Sequence, residues 1–241
     1  MPPVAPMHSS APLPTAPTNA ERNRLIRAGV HVEMVTVCWM LVEAVVAIGA
    51  GIFARSVLLT AFGLDSVVEL VTGGILLWRL LSEARGGAFD QVERAEKRAA
   101  WVAGVALILL CAYIAATSAL SLITQTRAES SAVGIGLALV AVAGMPLLAW
   151  RKRAIAAPLG SAALRGDAAC SITCAYMAGA LLVGLLLNTL FGWWWADNVA
   201  ALGLLYWLIP EAREAIEGAR AGHAACACGD DECENGPIFS R

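Results

Sequence analysis

Two pairs of side chains with metal-binding chemistry lie four residues apart within otherwise apolar sequence. Asp65 and Glu69 belong to TAFGLDSVVEL, and Cys170 and Cys174 belong to LRGDAACSITCAYM. Residues four apart project from one face of a helix, one turn above each other. Two carboxylates and two thiolates can complete a tetrahedral shell around Zn²⁺, and thiolates favour softer ions such as Cd²⁺ over Mg²⁺ or Ca²⁺. The two pairs are therefore candidate ligands of a divalent transition metal.

Each pair also has a structural interpretation, which the spacing leaves open. A charged carboxylate near the bilayer centre costs on the order of 3 kcal/mol, and an Arg or backbone donors of a neighbouring helix could satisfy it. The apolar runs defined below hold no Lys or Arg at a similar depth. Buried cysteine often acts only as a small hydrophobic residue. The spacing alone leaves open whether Cys170 and Cys174 pack as small hydrophobic residues or bind a metal ion.

Two further acids lie near the candidate ligands. Asp167 precedes Cys170 by about one helical turn, and Glu43 lies in MLVEAVVAIGAG, within the first long apolar run. Each could act as a proton relay or orient a metal ligand. Glu43 could equally form a hydrogen bond that joins two helices. His31 and Glu33, at the start of the same run, are expected at the membrane interface.

The composition indicates a membrane protein. Hydrophobic residues make up 59% of the chain and charged residues 15%, and the mean hydropathy is +0.68. These values are too apolar for an ordinary soluble domain. The formal net charge of -2 gives no basis for binding nucleic acid, because phosphate recognition needs clustered Lys and Arg.

Six apolar runs have the length that an α-helix needs to cross about 30 Å of hydrocarbon, or more. We therefore predict an all-α polytopic protein with six transmembrane helices. We predict a disordered tail over 1–23, a transmembrane domain over 24–220 and a short tail over 221–241. The predicted spans are 30–53, 56–81, 100–123, 132–150, 162–191 and 193–210.

The positions of Lys and Arg predict the orientation, because cations near helix ends are held on the cytoplasmic side. One set of connections holds only Arg55 and Arg127. The opposite set holds Arg22, Arg24, Arg27, Arg79, Arg85, Arg94, Lys97, Arg98, Arg151, Lys152, Arg153, Arg213 and Arg220. Both ends of the chain are therefore predicted to lie in the cytoplasm.

The last twenty residues contain a second group of possible ligands. GHAACACGDDECENGPIFSR includes His223, Cys226, Cys228 and Cys233 among acids. In a reducing cytoplasm these side chains could bind a soft metal ion. A solvated tail with incidental cysteines is an equally good interpretation.

Beyond this chemistry, the sequence resembles the cation diffusion facilitator family over about 24–220. SVLLTAFGLDSVVEL is similar to the family's small-residue run followed by two acids, and LRGDAACSITC to a stretch reading Arg-x-Asp-x-x-His-x-x-x-Asp. By position, Asp65 and Glu69 fall on the two ligands of helix two, where a second Asp is more usual. Cys170 falls on the family's His and Cys174 on its Asp. The resemblance therefore favours metal binding by these four residues.

The resemblance implies a function and an assembly. Family members are homodimeric bundles of six helices that exchange a divalent metal for protons, and most export metal from the cytoplasm. We therefore expect a secondary active transporter in a bacterial inner membrane, with Zn²⁺, Cd²⁺ or a similar ion as substrate and no permanently bound cofactor. The family's usual cytoplasmic domain is not expected, because only 28 residues follow Arg213.

Two other functions compete with transport. Cys170 and Cys174 could be the redox pair of a membrane thiol protein, although such pairs usually take the C-x-x-C spacing. Alternatively, the chain could be a metal sensor or membrane anchor that uses the cysteine-containing tail alone. Replacement of Asp65 distinguishes these from transport, because only a transporter loses metal-driven proton movement.

Overall fold

The computed structural model describes residues 18–85 and 89–221, which form six α-helices. Within these ranges there is no β-strand, so the predicted all-α class is confirmed. Each predicted span lies largely within a helix. The helices are α1 (Asn19–Ala54), α2 (Val57–Ala84), α3 (Phe89–Thr124), α4 (Ala132–Leu159), α5 (Ala162–Phe191) and α6 (Ala196–Ala221).

Most helices extend beyond the boundaries drawn from hydropathy, and α1 and α4 show why. α1 begins at Asn19, inside the stretch assigned to the N-terminal tail, because Thr18 and Glu21 form a capping box that satisfies its first backbone donors. The remaining tail residues, 1–17, lie outside the described residues. α4 continues to Leu159, nine residues past the predicted end. Lys152 therefore lies within a helix, not in a connection as predicted.

Five of the six helices are long and apolar enough to cross a membrane. These are α1, α2, α4, most of α5, and residues 101–124 of α3. α6 falls short of this composition because Asp197 lies in its first turn and Glu211, Arg213 and Glu214 lie in its second half. Its apolar part, 198–210, is shorter than a typical span of about 20 residues.

Close contact between α1 and α2 depends on two glycines. A Cβ atom on Gly51 would lie 2.6 Å from the Thr60 backbone nitrogen, and one on Gly63 would lie 2.8 Å from that of Ile48. Such distances leave no room for a side chain, so both positions need glycine. The two backbones therefore approach closely at these glycines.

The beginning of α2 is fixed by α6. Asp197 lies in the first turn of α6, and its carboxylate accepts hydrogen bonds from the Ser56 hydroxyl at 2.5 Å and the Val57 backbone nitrogen at 3.0 Å. The Ser56 hydroxyl in turn accepts from the Leu59 backbone nitrogen at 3.0 Å. Backbone donors at a helix start have no partner within the helix. Asp197 and Ser56 satisfy them and join the two helices.

The interior is apolar apart from a small set of charged side chains. Large residues such as Phe62, Met145 and Met177 are fully buried, whereas Phe53 and Ile123 are highly exposed, as suits contact with lipid. α2 packs against α1, α3, α5 and α6, so its polar residues face the middle of the bundle. Besides Asp197, the described part of the chain has these buried charged residues: Glu33, Glu43, Asp65, Glu69, Lys152 and Asp167.

Candidate metal site

The two acids of α2 lie inside the bundle. Asp65 and Glu69 are 3% and 6% exposed, and their four-residue spacing places them on one helix face. Besides each other, the charged groups that act on them are the carboxylates of Glu43 in α1 and Glu211 in α6. One carboxylate oxygen of Glu69, Oε2, is buried without a hydrogen-bond partner. Among the residues that the structure describes, the charged groups acting on this cluster are therefore all acidic.

Glu43 is held in a fixed position beside these acids. It is fully buried. Its Oε1 accepts a hydrogen bond from the Ser66 hydroxyl of α2 at 2.7 Å, and its Oε2 accepts one from the Trp39 indole nitrogen at 2.7 Å. Glu43 therefore joins α1 to α2, and its carboxylate is oriented by donors from both helices.

Cys174 brings α5 to the same cluster. Its thiol is fully buried, and Sγ lies 3.8 Å from Glu43 Oε1, to which it donates a hydrogen bond. The Glu69 and Asp65 carboxylates also act electrostatically on this thiol. One sulfur atom of α5 therefore contacts Glu43 of α1 and lies within electrostatic range of the α2 acids.

The structure brings only some of the four predicted metal ligands close to one another. Cys170 is half-buried on α5, one turn before Cys174. Among the side chains in 18–85 and 89–221, no group of three or more His, Cys, Asp and Glu has the arrangement to hold a metal ion. Asp65, Glu69 and Cys174 are neighbours, but coordination by all four predicted ligands stays a prediction.

Asp167 belongs to a different cluster from the one expected. Its carboxylate pairs with the Lys152 ammonium of α4, which also lies 3.2 Å from Glu33 Oε2 of α1. Lys152 and Glu33 are fully buried, so Glu33 packs inside the bundle, and its interfacial depth stays a prediction. Lys152 pairs with Asp167 and Glu33, so the expectation that no Lys or Arg lies at the depth of Asp65 and Glu69 stays a prediction as well. From the sequence, Lys152 between Arg151 and Arg153 resembles an ordinary cytoplasmic cluster.

Two residues near the α2 acids were not identified from the sequence. Glu211 of α6 and Cys111 of α3 both interact electrostatically with Asp65. Glu214, exposed one turn after Glu211, acts on the Glu211 carboxylate. The available signal was PEAREAIEG, where acids recur with helical spacing directly after an apolar span. These acids lead from an exposed position on α6 towards the buried pair.

The predicted tail site falls outside the described residues. His223, Cys226, Cys228 and Cys233 all follow residue 221, the end of α6. Metal binding by the tail therefore stays a prediction.

Comparison with known proteins relates the chain to a family model and to a curated relative. The family model of the cation efflux transmembrane domain matches residues 34–218, which extend from α1 into the second half of α6. An uncharacterized transporter of Synechocystis is 26% identical over 160 residues, which cover 65% of this chain and 52% of that protein. The chain therefore spans about half the length of this curated relative.

Proposed function

Because the chain belongs to the cation efflux family, the cation diffusion facilitators that its sequence resembles, we propose that it exports divalent transition-metal ions in exchange for protons. The substrate would be Zn²⁺, Cd²⁺ or a similar ion, bound transiently. The protein would be a secondary active transporter, not an enzyme. A homodimer in a bacterial inner membrane, with both chain ends in the cytoplasm, completes the proposal.

The observation that carries this proposal is the uncompensated charge around Asp65 and Glu69. Like-charged carboxylates act on both residues, and Glu69 Oε2 is buried without a partner. Buried charges are normally paired or coordinate a metal. The acids therefore remain protonated or take up a cation, and a divalent ion neutralises two of them at once.

Cys174 supplies the soft ligand of the proposed site. With Zn–S and Zn–O bonds of about 2.3 and 2.0 Å, two ligands of one tetrahedral Zn²⁺ lie about 3.5 Å apart. Cys174 Sγ and Glu43 Oε1 are 3.8 Å apart, so an ion between them needs little movement of the helices. Glu43 would then contribute to the site directly, while Cys170 joins it after a shift of α5.

Coupling to protons follows from the type of ligand. Carboxylates and thiolates bind metal only when deprotonated, so metal and protons compete for the same atoms. A site open to the cytoplasm would capture metal and release protons. After the helices rock to open the other side, protons entering from there would displace the metal. The proton gradient thereby drives export.

Transport assays in sealed proteoliposomes test the proposal. Zn²⁺ and Cd²⁺ flux would be measured with and without an imposed pH difference, for the wild type and Asp65→Asn. We expect Asp65→Asn to reduce flux by roughly 100-fold or more, equivalent to about 2.7 kcal/mol. Glu83→Gln is the matched control, because Glu83 forms a partly exposed ion pair with Arg22 at the helix ends. Its flux should equal that of the wild type.

Two results would contradict the proposal. If Asp65→Asn keeps full metal-driven proton movement, the α2 acids do not carry the substrate. If removal of residues 222–241 abolishes flux while Asp65→Asn has no effect, a tail-based metal sensor or anchor is favoured. We expect tail removal only to slow transport. A redox function would instead appear as a change in activity on oxidation of Cys170 and Cys174 that Asp65→Asn leaves intact.

A further inference from the structure

A second group of buried charges joins α1, α4 and α5. The Lys152 ammonium pairs with the Asp167 carboxylate, lies 3.2 Å from Glu33 Oε2, and donates a hydrogen bond to the Ser171 hydroxyl at 3.3 Å. Ser171 in turn donates to the backbone oxygen of Asp167 at 3.1 Å. All these residues are fully or almost fully buried.

The charges in this cluster do not balance. Glu33 and Asp167 contribute two carboxylates, whereas Lys152 contributes one positive charge. The charged groups that act on Glu33 are Asp167 of α5 and Lys152 of α4, and Gly73 of α2 lies beside the Glu33 carboxylate. If every group were ionised, one negative charge would stay uncompensated in the interior, which is unfavourable. One proton restores neutrality.

Glu33 has the position and the free bonding capacity to share that proton. Neither of its carboxylate oxygens has a hydrogen-bond partner that meets normal geometry, although both are buried. The Glu33 and Asp167 carboxylates both contact the same Lys152 ammonium, so they lie on either side of one cation. A carboxyl proton between Glu33 and Asp167 would therefore satisfy an oxygen that is otherwise left without a donor.

We propose that Glu33, Asp167 and Lys152 form a proton-binding site, separate from the metal site, that carries one of the exchanged protons. This inference rests on the proposed function for the role of the proton in exchange. The Lys152 ammonium makes the site selective. It leaves a single negative charge, which a proton neutralises, whereas a divalent cation would overcompensate it and be repelled by the ammonium at close range.

The two sites share helices, which provides a route for coupling. Asp167, Ser171 and Cys174 follow one another at four- and three-residue spacing along one face of α5, and Glu33 and Glu43 both belong to α1. A movement of α5 that brings Cys170 towards the metal therefore also displaces Asp167 relative to Lys152 and Glu33. Metal binding at one site then alters proton binding at the other.

Infrared spectroscopy of the purified full chain in detergent tests proton binding directly. Spectra would be recorded on the metal-free protein, in which the exchanged protons are bound, and the band of protonated carboxyl groups would be followed with pH. We expect Glu33→Gln and Asp167→Asn each to lose one protonated carboxyl, because either change leaves a neutral ion pair with Lys152. Glu83→Gln, the control at the Arg22–Glu83 pair, should keep the band.

Zn²⁺ stoichiometry and vesicle transport complete the test. Equilibrium dialysis should give equal numbers of bound Zn²⁺ for the wild type, Glu33→Gln and Asp167→Asn, and each variant should exchange one proton fewer per Zn²⁺. An unchanged carboxyl band in both variants overturns the proposal, and so does a reduced Zn²⁺ stoichiometry. An unchanged proton ratio refutes the role in exchange. If the wild type moves no metal but the variants lose the band, the proposed function fails while the proton site stands.

Discussion

Two groups of buried acids lie in the same bundle, and they differ in the source of their positive charge. Around Asp65 and Glu69 the neighbouring charges are carboxylates, and both acids act on the Cys174 thiol. Around Asp167 and Glu33 the chain supplies an ammonium from Lys152. The first group can be neutralised by a cation from outside the protein, whereas the second already contains one.

This difference shows why acid content alone does not identify a substrate site. Buried carboxylates occur in both groups, and both groups use α1 and α5. A carboxylate paired with a permanent cation has lost most of its attraction for a divalent ion. A group without such a cation keeps that attraction. It destabilises the fold until protons or a metal ion bind to it.

The largest effect expected from this comparison concerns stability without metal. Lys152→Gln should lower the free energy of unfolding by about 3–5 kcal/mol, because it leaves two buried carboxylates without their partner. Asp65→Asn should change it by less than about 1 kcal/mol or raise it, because one like charge disappears. Thermal unfolding of the metal-free protein in detergent measures both.

The pH dependence and a double variant refine this measurement. The loss in free energy of unfolding caused by Lys152→Gln should become smaller as the pH falls, because protons on the carboxylates replace the lost ammonium. Addition of Asp167→Asn should restore part of the stability, since one of the two unpaired acids is removed. If Asp65→Asn is as destabilising as Lys152→Gln, the α2 acids are already satisfied in the fold, and the contrast between the groups is wrong.

A smaller effect should appear in metal preference at the α2 group. Cys174→Ser replaces a soft sulfur ligand by a hard oxygen, so affinity for Cd²⁺ should fall relative to Mn²⁺. We expect the ratio of Cd²⁺ to Mn²⁺ affinity to fall about 10–100-fold. Loss of a residue that only orients a metal ligand already lowers metal affinity by about this factor. Competition binding of the two ions to the purified protein measures the ratio.

Cys38→Ser provides the matched control for this change. Cys38 is a free thiol on α1 but is exposed, whereas Cys174 is fully buried among the acids. The control should leave the ratio of Cd²⁺ to Mn²⁺ affinity unchanged. Equal losses in both variants would show that sulfur content, not the position of Cys174, determines the preference.

The sequence predicted the fold more completely than the charge clusters. Runs of apolar residues are dictated by the bilayer thickness, so hydropathy located all six helices and the four-residue spacing located the α2 pair. Helix ends were less accurate, because capping at Thr18 extends α1 and charged residues continue α4 to Leu159. Local sequence therefore predicts where a helix lies better than where it begins and ends.

A helical pattern in the sequence of α4 indicates that Lys152 is buried. Residues 138, 141, 145, 149, 152 and 156 of α4 are all buried, and their spacing of three and four continues one face through the charged stretch. Glu33 similarly continues the buried face of α1 between Gly29 and Thr36. The partner helix that places Asp167 beside Lys152 is a tertiary feature, which spacing within one helix does not contain.

The smallest effect in this comparison comes from two adjacent glycines of α2. A Cβ atom on Gly73 would lie 3.0 Å from Glu33 Oε1, whereas one on Gly74 would meet no atom within 4 Å. Ala is favoured over Gly in a helix by up to about 1 kcal/mol, so Gly74→Ala should stabilise the protein slightly. Gly73→Ala should be less stable than Gly74→Ala by roughly 1 kcal/mol, because Glu33 must move away from its ion pair.

Replacement of Glu33 tests whether this difference arises from the charge cluster. Gly73→Ala and Gly74→Ala would be compared by thermal unfolding in the wild type and in a Glu33→Ala background. Without the Glu33 carboxylate the added methyl group has space, so the two alanine variants should become equally stable. A difference that persists in the Glu33→Ala background would assign the cost to Val37, the other α1 neighbour within 3.6 Å of the added Cβ atom, and not to the packing of α2 against the cluster.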